Sequence, residues 1–348
     1  MTARATALLL LAIACASGGC GPSPGARVWR PGGDPAFSPY VDVTLAAPFD
    51  LEGVAADAGA RSVTLAFVTT AAGAPCTPAW GGVTPIAAAT VAGPAARLRG
   101  AGVGLRVSFG GASGTELAGT CLDPGRVARA YADVLDRYHA TGADFDLEGA
   151  TLSDRSALVR RARAIATVQA HTRRPLAVSV TLPVSASEGL SAGALEAVRA
   201  MLAAGVRLSV VNLLAMDYGG APPPGGMGTA ATAALGAAHR QLAGLPGGTG
   251  GALGSWGALG VTPMIGVNDS PGETFTLADA RMVGAFASAH HLGLVSIWSL
   301  ARDQPCAGSP TVASPTCSGV RESSYAFSRA LGARPRPGVL PRRAVDAS

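Results

Sequence analysis

The chain contains no lysine, so arginine alone carries its basic charge. The 27 arginines outnumber the acidic residues and give a formal charge of +5, but they are scattered. Scattered basic residues leave no footprint for nucleic acid. An arginine-only set also follows genomic base composition more readily than selection for a charged partner. Aromatic residues are scarce at 5%, which excludes an extended aromatic binding face. Charged residues amount to 14% against 48% hydrophobic, so a sizeable core forms and disorder is excluded as the main state. No GxGxxG follows a first strand, so a dinucleotide fold has no support. No CxxC occurs, and no Cys/His cluster suggests zinc. The histidines (His139, His171, His239, His290 and His291) fall in helix-like segments away from strand ends, which argues against a divalent metal site. No metal or cofactor is expected.

Residues 1–20 read as a secretory signal. Arg4 supplies a positive start, Ala5 to Ala14 a short apolar run, and Ala16, Ser17, Gly18 and Gly19 the small residues before Cys20. The run is shorter than the ~18 residues of a spanning helix, and no other apolar stretch reaches that length. Two exits stay open. Ala14-Cys15-Ala16 suits ordinary signal peptidase, whereas Ser17-Gly18-Gly19-Cys20 resembles a bacterial lipobox with Ser17 where leucine is usual. The expectation is a monomer, extracellular or attached to the cell envelope, touching membrane only through a lipid at Cys20.

Four cysteines remain beyond the signal: Cys76, Cys121, Cys306 and Cys317. They allow three pairings, and export favours disulfides. Cys306 and Cys317 share one Gly/Ser/Pro-rich stretch and are expected to pair, which leaves Cys76 with Cys121. Free buried thiols are the alternative.

Residues 21–39 are rich in proline and glycine and read as a linker. Strand-like and helix-like segments then alternate. The expected strands are Tyr40–Leu45, Ser62–Thr69, Val103–Phe109, Gly142–Glu148, Leu176–Leu182, Leu208–Met216, Gly260–Val267 and Leu294–Leu300. Helical spacing covers Arg126–Ala140, Ser153–His171 with Ser153 as its cap, Ala192–Ala203, Thr229–Leu242, Leu277–His290 and Ser323–Leu331. This alternation in an α/β chain predicts a (β/α)8 TIM barrel in a single domain over residues 40–332. Periodicity alone does not separate it from an open doubly wound sheet. Residues 333–348 read as a disordered tail.

The most informative segment is Gly142-Ala143-Asp144-Phe145-Asp146-Leu147-Glu148-Gly149. Alternate side chains of a strand share a face, so Asp144, Asp146 and Glu148 point one way and Phe145 and Leu147 the other. In a barrel the acids line the interior, and Glu148, the last of them, reaches the C-terminal mouth where barrel enzymes carry catalysis. Buried carboxylates must pair, share protons or bind something. A ladder neutralised by arginines from neighbouring strands is the structural alternative.

DFDLE resembles the DxxDxDxE signature of glycoside hydrolase family 18, the chitinase family. Further resemblances follow in order. Ser108-Phe109-Gly110-Gly111 is similar to the SxGG motif ending the third strand. Asn212 to Tyr218 (NLLAMDY) resembles the sixth-strand motif. Thr262-Pro263-Met264-Ile265-Gly266 and Ile297-Trp298-Ser299-Leu300 resemble the seventh and eighth strands of bacterial members. The likeness runs from about Tyr40 to Leu331. One departure is Thr141, where many members carry the first Asp of the signature; that position is farthest from the bond cleaved.

The resemblance implies a chitinase that hydrolyses β-1,4-linked N-acetylglucosamine polymers, chitin or its oligosaccharides, by a retaining, substrate-assisted mechanism. Residues 1–20 make it exported, and the few aromatics with the short stretch from Val267 to Leu294 predict an open cleft and endo-type cleavage. It implies that Glu148 is the acid, that Asp146 hydrogen-bonds the acetamido N–H, and that Asp144 shares a proton with Asp146. Tyr218 would orient the acetamido oxygen. Asp217 would contact the same sugar or the Glu148 side, and Trp298 would form the apolar floor, with plain core packing as its alternative. Met216 fits packing better than contact. Trp80, in CTPAWGG, would reach a distant sugar from a disulfide-held loop or else anchor that loop by packing. Two other functions compete: a noncatalytic chitin-binding or lectin-like member, and an endo-β-N-acetylglucosaminidase.

Overall fold

The structure is a computed structural model that describes residues 35–45, 55–219, 225–245, 252–308 and 310–333. The signal segment, most of the linker, residues 334–348 and Trp29 lie outside the described residues. Eight parallel strands close into a barrel. The first is in two pieces, Ala36–Phe37 and Tyr40–Asp42. The others are Ser62–Thr70, Gly104–Gly110, Gly142–Asp146, Ala177–Ser185, Leu208–Leu214, Leu259–Thr262 and Leu294–Val295. Each pairs with the next in chain order. The eighth closes on the first through Ala36↔Leu294 and Phe37↔Val295. Helices Ala89–Gly100, Pro124–Arg137, Arg155–His171, Ala192–Ala203, Gly226–Ala243 and Leu277–His290 connect them.

The closure corrects two expected boundaries. Ala36 and Phe37 fall within the stretch read as a linker, because a two-residue strand among prolines and glycines has no pattern of its own. Ala333, placed in the tail by the expected boundary, is buried, and its N–H reaches the Ser328 carbonyl. The helix cap also moves by one residue. Asp154, not Ser153, accepts the Ala157 N–H at 2.9 Å.

Strand alternation sorts the fourth strand as its pattern demands. Phe145 faces outward, where it stacks on Phe109 at 5.3 Å and meets Tyr131 of helix Pro124–Arg137 at 5.1 Å. The inward set is polar and in register. Asp144 lies opposite Ser108 on one neighbour and Ser179 on the other. One level higher, Asp146 lies opposite Gly110 and Thr181. The apolar core therefore sits between barrel and helices, and a hydrophilic belt fills the barrel itself.

Two features pin the segment after the third strand. Cys76 and Cys121 are joined, as are Cys306 and Cys317, so the expected pairing holds. Beside the first bridge, Glu116 is buried and accepts from Arg161 Nε at 2.8 Å, from the Ala118 N–H at 2.9 Å and from the Tyr131 hydroxyl, with Arg161 Nη2 ion-paired to it at 2.7 Å. Burial, and next the Glu116 charge, hold the Tyr131 hydroxyl well above its usual pKa. Burial alone would lower the pKa of the Arg161 guanidinium, but the adjoining Glu116 carboxylate raises it.

Removing one member of a buried ion pair strands the other in low dielectric. Glu116→Gln is therefore expected to destabilise the fold by about 3–5 kcal/mol, measured by urea unfolding. A second change, Arg161→Met, should restore part of that loss. An unchanged midpoint in the single variant would show that the pair is not a stabilising element.

Candidate active site

The base of the site is built on four strands, the first, third, fourth and fifth. Asp144, deepest in the ladder, accepts four hydroxyl hydrogen bonds. Tyr40 and Ser108 donate to Oδ2 at 2.8 and 2.7 Å, and Ser179 and Thr181 donate to Oδ1 at 2.5 and 2.8 Å. Two of these hydroxyls have their own lone pairs engaged by N–H groups. Arg106 Nη2 donates to Ser179 at 2.6 Å and Asn212 Nδ2 to Thr181 at 3.1 Å. Their hydrogens are thereby directed at Asp144. Burial, followed by the charges of Asp144 and Asp146, keeps the Tyr40 hydroxyl far above its ordinary pKa, so it remains a donor.

Asp146 is equally buried, yet its Oδ1 has no hydrogen-bond partner. Burial first, then the charges of Glu148 and Asp144, push its carboxyl well above the usual range. Its side chain is hydrogen-bonded to Glu148. The resemblance places a shared proton between Asp144 and Asp146; in the structure Asp144 is saturated by hydroxyls and Asp146 turns to Glu148. Glu148 follows the strand in extended backbone and is half-buried. Burial raises its pKa, the bond from Asp146 opposes that, and the nearby Asp217 charge adds to the rise. Two close carboxyls of this kind titrate as a pair.

The SFGG segment is explained by close approach. A Cβ on Gly110 would stand 2.1 Å from the Asp146 carbonyl oxygen, and one on Gly111 would stand 2.7 Å from the Phe67 ring. Both glycines have positive φ, at 107° and 89°. Only glycine lets the third strand lie this near the ladder. Thr141 is exposed at the opposite end of the strand, where its hydroxyl donates to the Leu105 carbonyl at 3.2 Å.

The remaining expected residues divide into two groups. Trp298 is half-buried at the mouth, stacked on Phe67 at 5.3 Å and edge-on to Tyr40 at 6.0 Å. Tyr218 is half-buried, and its hydroxyl oxygen is enclosed without a partner. Burial, with a smaller contribution from the Glu273 charge, raises its pKa. Asp217 is exposed and accepts the Ser270 N–H at 2.7 Å, and Met216 is half-buried. Trp80 is a correction. It is fully buried, edge-on to Tyr138 at 5.3 Å, with its indole N–H donating to the Tyr138 hydroxyl at 3.0 Å. A ring enclosed in this way anchors the loop and offers no face to a sugar.

The sequence reading missed Tyr40, Phe67, Ser179, Thr181 and Asn212. A signal existed for Ser179 and Thr181: hydroxyls at alternate positions of an otherwise apolar strand mark a polar inward face. A groove of about 780 Å³ between the 78–85 hairpin and helix Pro124–Arg137 contains none of the ladder residues.

No family model matches the chain. It is 35% identical over 280 residues to a probable bifunctional chitinase/lysozyme of Escherichia coli, covering 77% of this chain and 31% of that protein. It is 34% identical over 283 residues to endochitinase 11 of Metarhizium anisopliae, covering 78% of this chain and 53% of that protein. The chain thus spans about a third to a half of the curated relatives it matches. Active domain 2 of the chitinase from Pyrococcus furiosus superposes with a TM-score of 0.75 at 31% identity, covering 86% of this chain and 95% of that one. A family GH18 chitinase from Chromobacterium violaceum shares the fold, with a TM-score of 0.58 at 17% identity, covering 85% and 82%. The ladder, the strand-end motifs and these relatives agree: the chain belongs to glycoside hydrolase family 18, the chitinase family.

Proposed function

We propose that this chain is an exported chitinase that cleaves β-1,4-linked N-acetylglucosamine polymers with retention, using the substrate's own acetamido group. One observation carries the reading. Two enclosed polar atoms, Asp146 Oδ1 and the Tyr218 hydroxyl, have no protein partner. Enclosed polar groups left unpaired cost free energy unless a ligand satisfies them. An acetamido group offers the complement, an N–H for Asp146 and a carbonyl oxygen for Tyr218. Trp298 and Phe67 supply apolar surface for the ring. The likeness to chitinases supports the same substrate class.

The acetamido oxygen attacks its own anomeric carbon while Glu148 protonates the departing glycosidic oxygen. Asp146 accepts the acetamido N–H and stabilises the oxazolinium charge. Glu148, now a base, takes a proton from the water that opens the ring, so the anomeric configuration is retained. Asp144, fixed by four donors, lies beneath the Asp146–Glu148 pair and helps hold the proton on Asp146.

A lectin-like role would not require the acid Glu148, which is present. An endo-β-N-acetylglucosaminidase would share the ladder and differ in its loops. Export rests on residues 1–20, with either exit at that segment, and attachment to the envelope rests on lipidation of Cys20. Aromatics are few in the sequence, and the segment between the seventh and eighth strands holds only the Gly266–Val267/Thr274–Phe275 hairpin and helix Leu277–His290. Both features favour an open cleft and endo cleavage.

Wild type should release β-anomeric product from a chitin oligosaccharide, followed by NMR, and Glu148→Gln should lose about 10²–10⁴-fold in rate. Binding without turnover in wild type would favour the lectin reading instead. The pH profile supplies a second check. The Asp217 charge helps hold the proton on Glu148, so Asp217→Asn should move the alkaline limb of kcat/KM to lower pH; movement upward would contradict this electrostatic assignment. On crystalline chitin the earliest products should span several lengths. A profile dominated by disaccharide from the first time points would rule out the endo mode.

A further inference from the structure

We infer that Glu273, a buried carboxylate outside the acid ladder, is a positioning residue that sets Tyr218 for the acetamido group. This rests on the reading of Tyr218 given above.

After Leu214 the sixth strand leaves the ladder, and its last backbone bond to the seventh is the Ala215 N–H to the Thr262 carbonyl at 3.0 Å. The chain then turns through two left-handed residues, Asp217 at φ 47° and Gly219 at φ 80°. Tyr218 lies between them. No strand pairing receives the backbone donors of this turn. Glu273 does: its Oε2 accepts the Tyr218 N–H and its Oε1 the Gly219 N–H, each at 3.1 Å. The carboxylate is 1% exposed. A charged group this deep needs strong hydrogen bonds, and two adjacent backbone donors supply them.

Glu273 is held in turn. It belongs to the hairpin that follows the seventh strand, with its N–H on the Ser270 carbonyl and its own carbonyl accepting the Asn268 N–H. Ser270 of the same hairpin donates its N–H to Asp217. Asn268 Nδ2 bonds the carbonyls of Met264 and Gly266. Arg302, buried behind, bonds the carbonyls of Ile265, Val267 and Ser314. A chain of fixed contacts therefore runs from the eighth-strand end through the hairpin to Tyr218. The Glu273 charge also adds to the rise in the Tyr218 pKa, which favours the neutral hydroxyl as donor.

A residue that merely caps a turn would lower activity independently of Tyr218. A positioning residue would act through it, so a double-mutant cycle separates the two. Glu273→Gln keeps the shape but replaces one acceptor with an NH2. It should lower kcat/KM on a chitin oligosaccharide by about 10–100-fold, mostly in kcat. Affinity for the thiazoline analogue of the oxazolinium intermediate should fall by a similar factor. In a Tyr218→Phe background the same change should have little further effect on either quantity. Equal losses in both backgrounds, or no loss in wild type, would overturn the proposal. If Glu273→Gln does not fold, Glu273→Asp, which retains the charge but withdraws it by one methylene, is put through the same cycle. Absence of turnover in wild type would refute the activity while the thiazoline cycle still decides the role of Glu273.

Discussion

Everything at the centre of this barrel follows from placing one carboxylate, Asp144, where water cannot reach it. A buried anion is tolerable only when its lone pairs are occupied. Four hydroxyls from three strands occupy them here, two kept in orientation by Arg106 and Asn212. Branched aliphatic side chains, the usual filling of such a barrel, are replaced by Ser, Thr, Tyr and Asn. Register enforces the arrangement: Ser108, Asp144 and Ser179 are neighbours across the sheet. A slip of one residue would turn the acids toward the helices and Phe145 inward.

Saturation stops one step up the strand. Asp146 keeps an unpartnered oxygen although it is as buried as Asp144. Another hydroxyl at Gly110 would satisfy it in principle, but the Asp146 carbonyl lies where any side chain at that position would begin. The glycine that brings the strands together therefore also leaves the carboxyl open toward the mouth. Stability and function are separated by a single level of the ladder: fully bonded below, deliberately incomplete above.

These two levels also mark how far sequence reasoning reached. Alternation placed Asp144, Asp146 and Glu148 on one face because that property is local to five residues. The alternation of elements placed the eight strands but left barrel and open sheet undivided, and helices Ala192–Ala203 and Leu277–His290 begin and end where their spacing predicts. The partners of the ladder were not legible, since Tyr40 and Ser179 reach Asp144 across 104 and 35 residues of chain. Trp80 was misjudged for the same reason: its neighbour Tyr138 lies 58 residues on. Glu273 sits in a Pro/Gly turn that looks like ordinary surface loop, and only the closed barrel brings it beneath Tyr218.

The departure at Thr141 fits this division of labour. A fourth acid at that position would stand at the solvent-facing start of the strand, below the level that Asp144 already closes. Thr141 instead ties its hydroxyl to the Leu105 carbonyl. The Arg106 guanidinium crosses Gly142 beside it, where any side chain would meet the arginine at 2.6 Å, and bonds Ser179. Positive charge therefore underlies the ladder at its base. The shifts of the Asp146 and Glu148 carboxyls come from burial, Asp144, Asp217 and each other, none of them at the level of Thr141. An acid at 141 would add its charge on the far side of a carboxylate that four hydroxyls already bond, away from the Asp146–Glu148 pair.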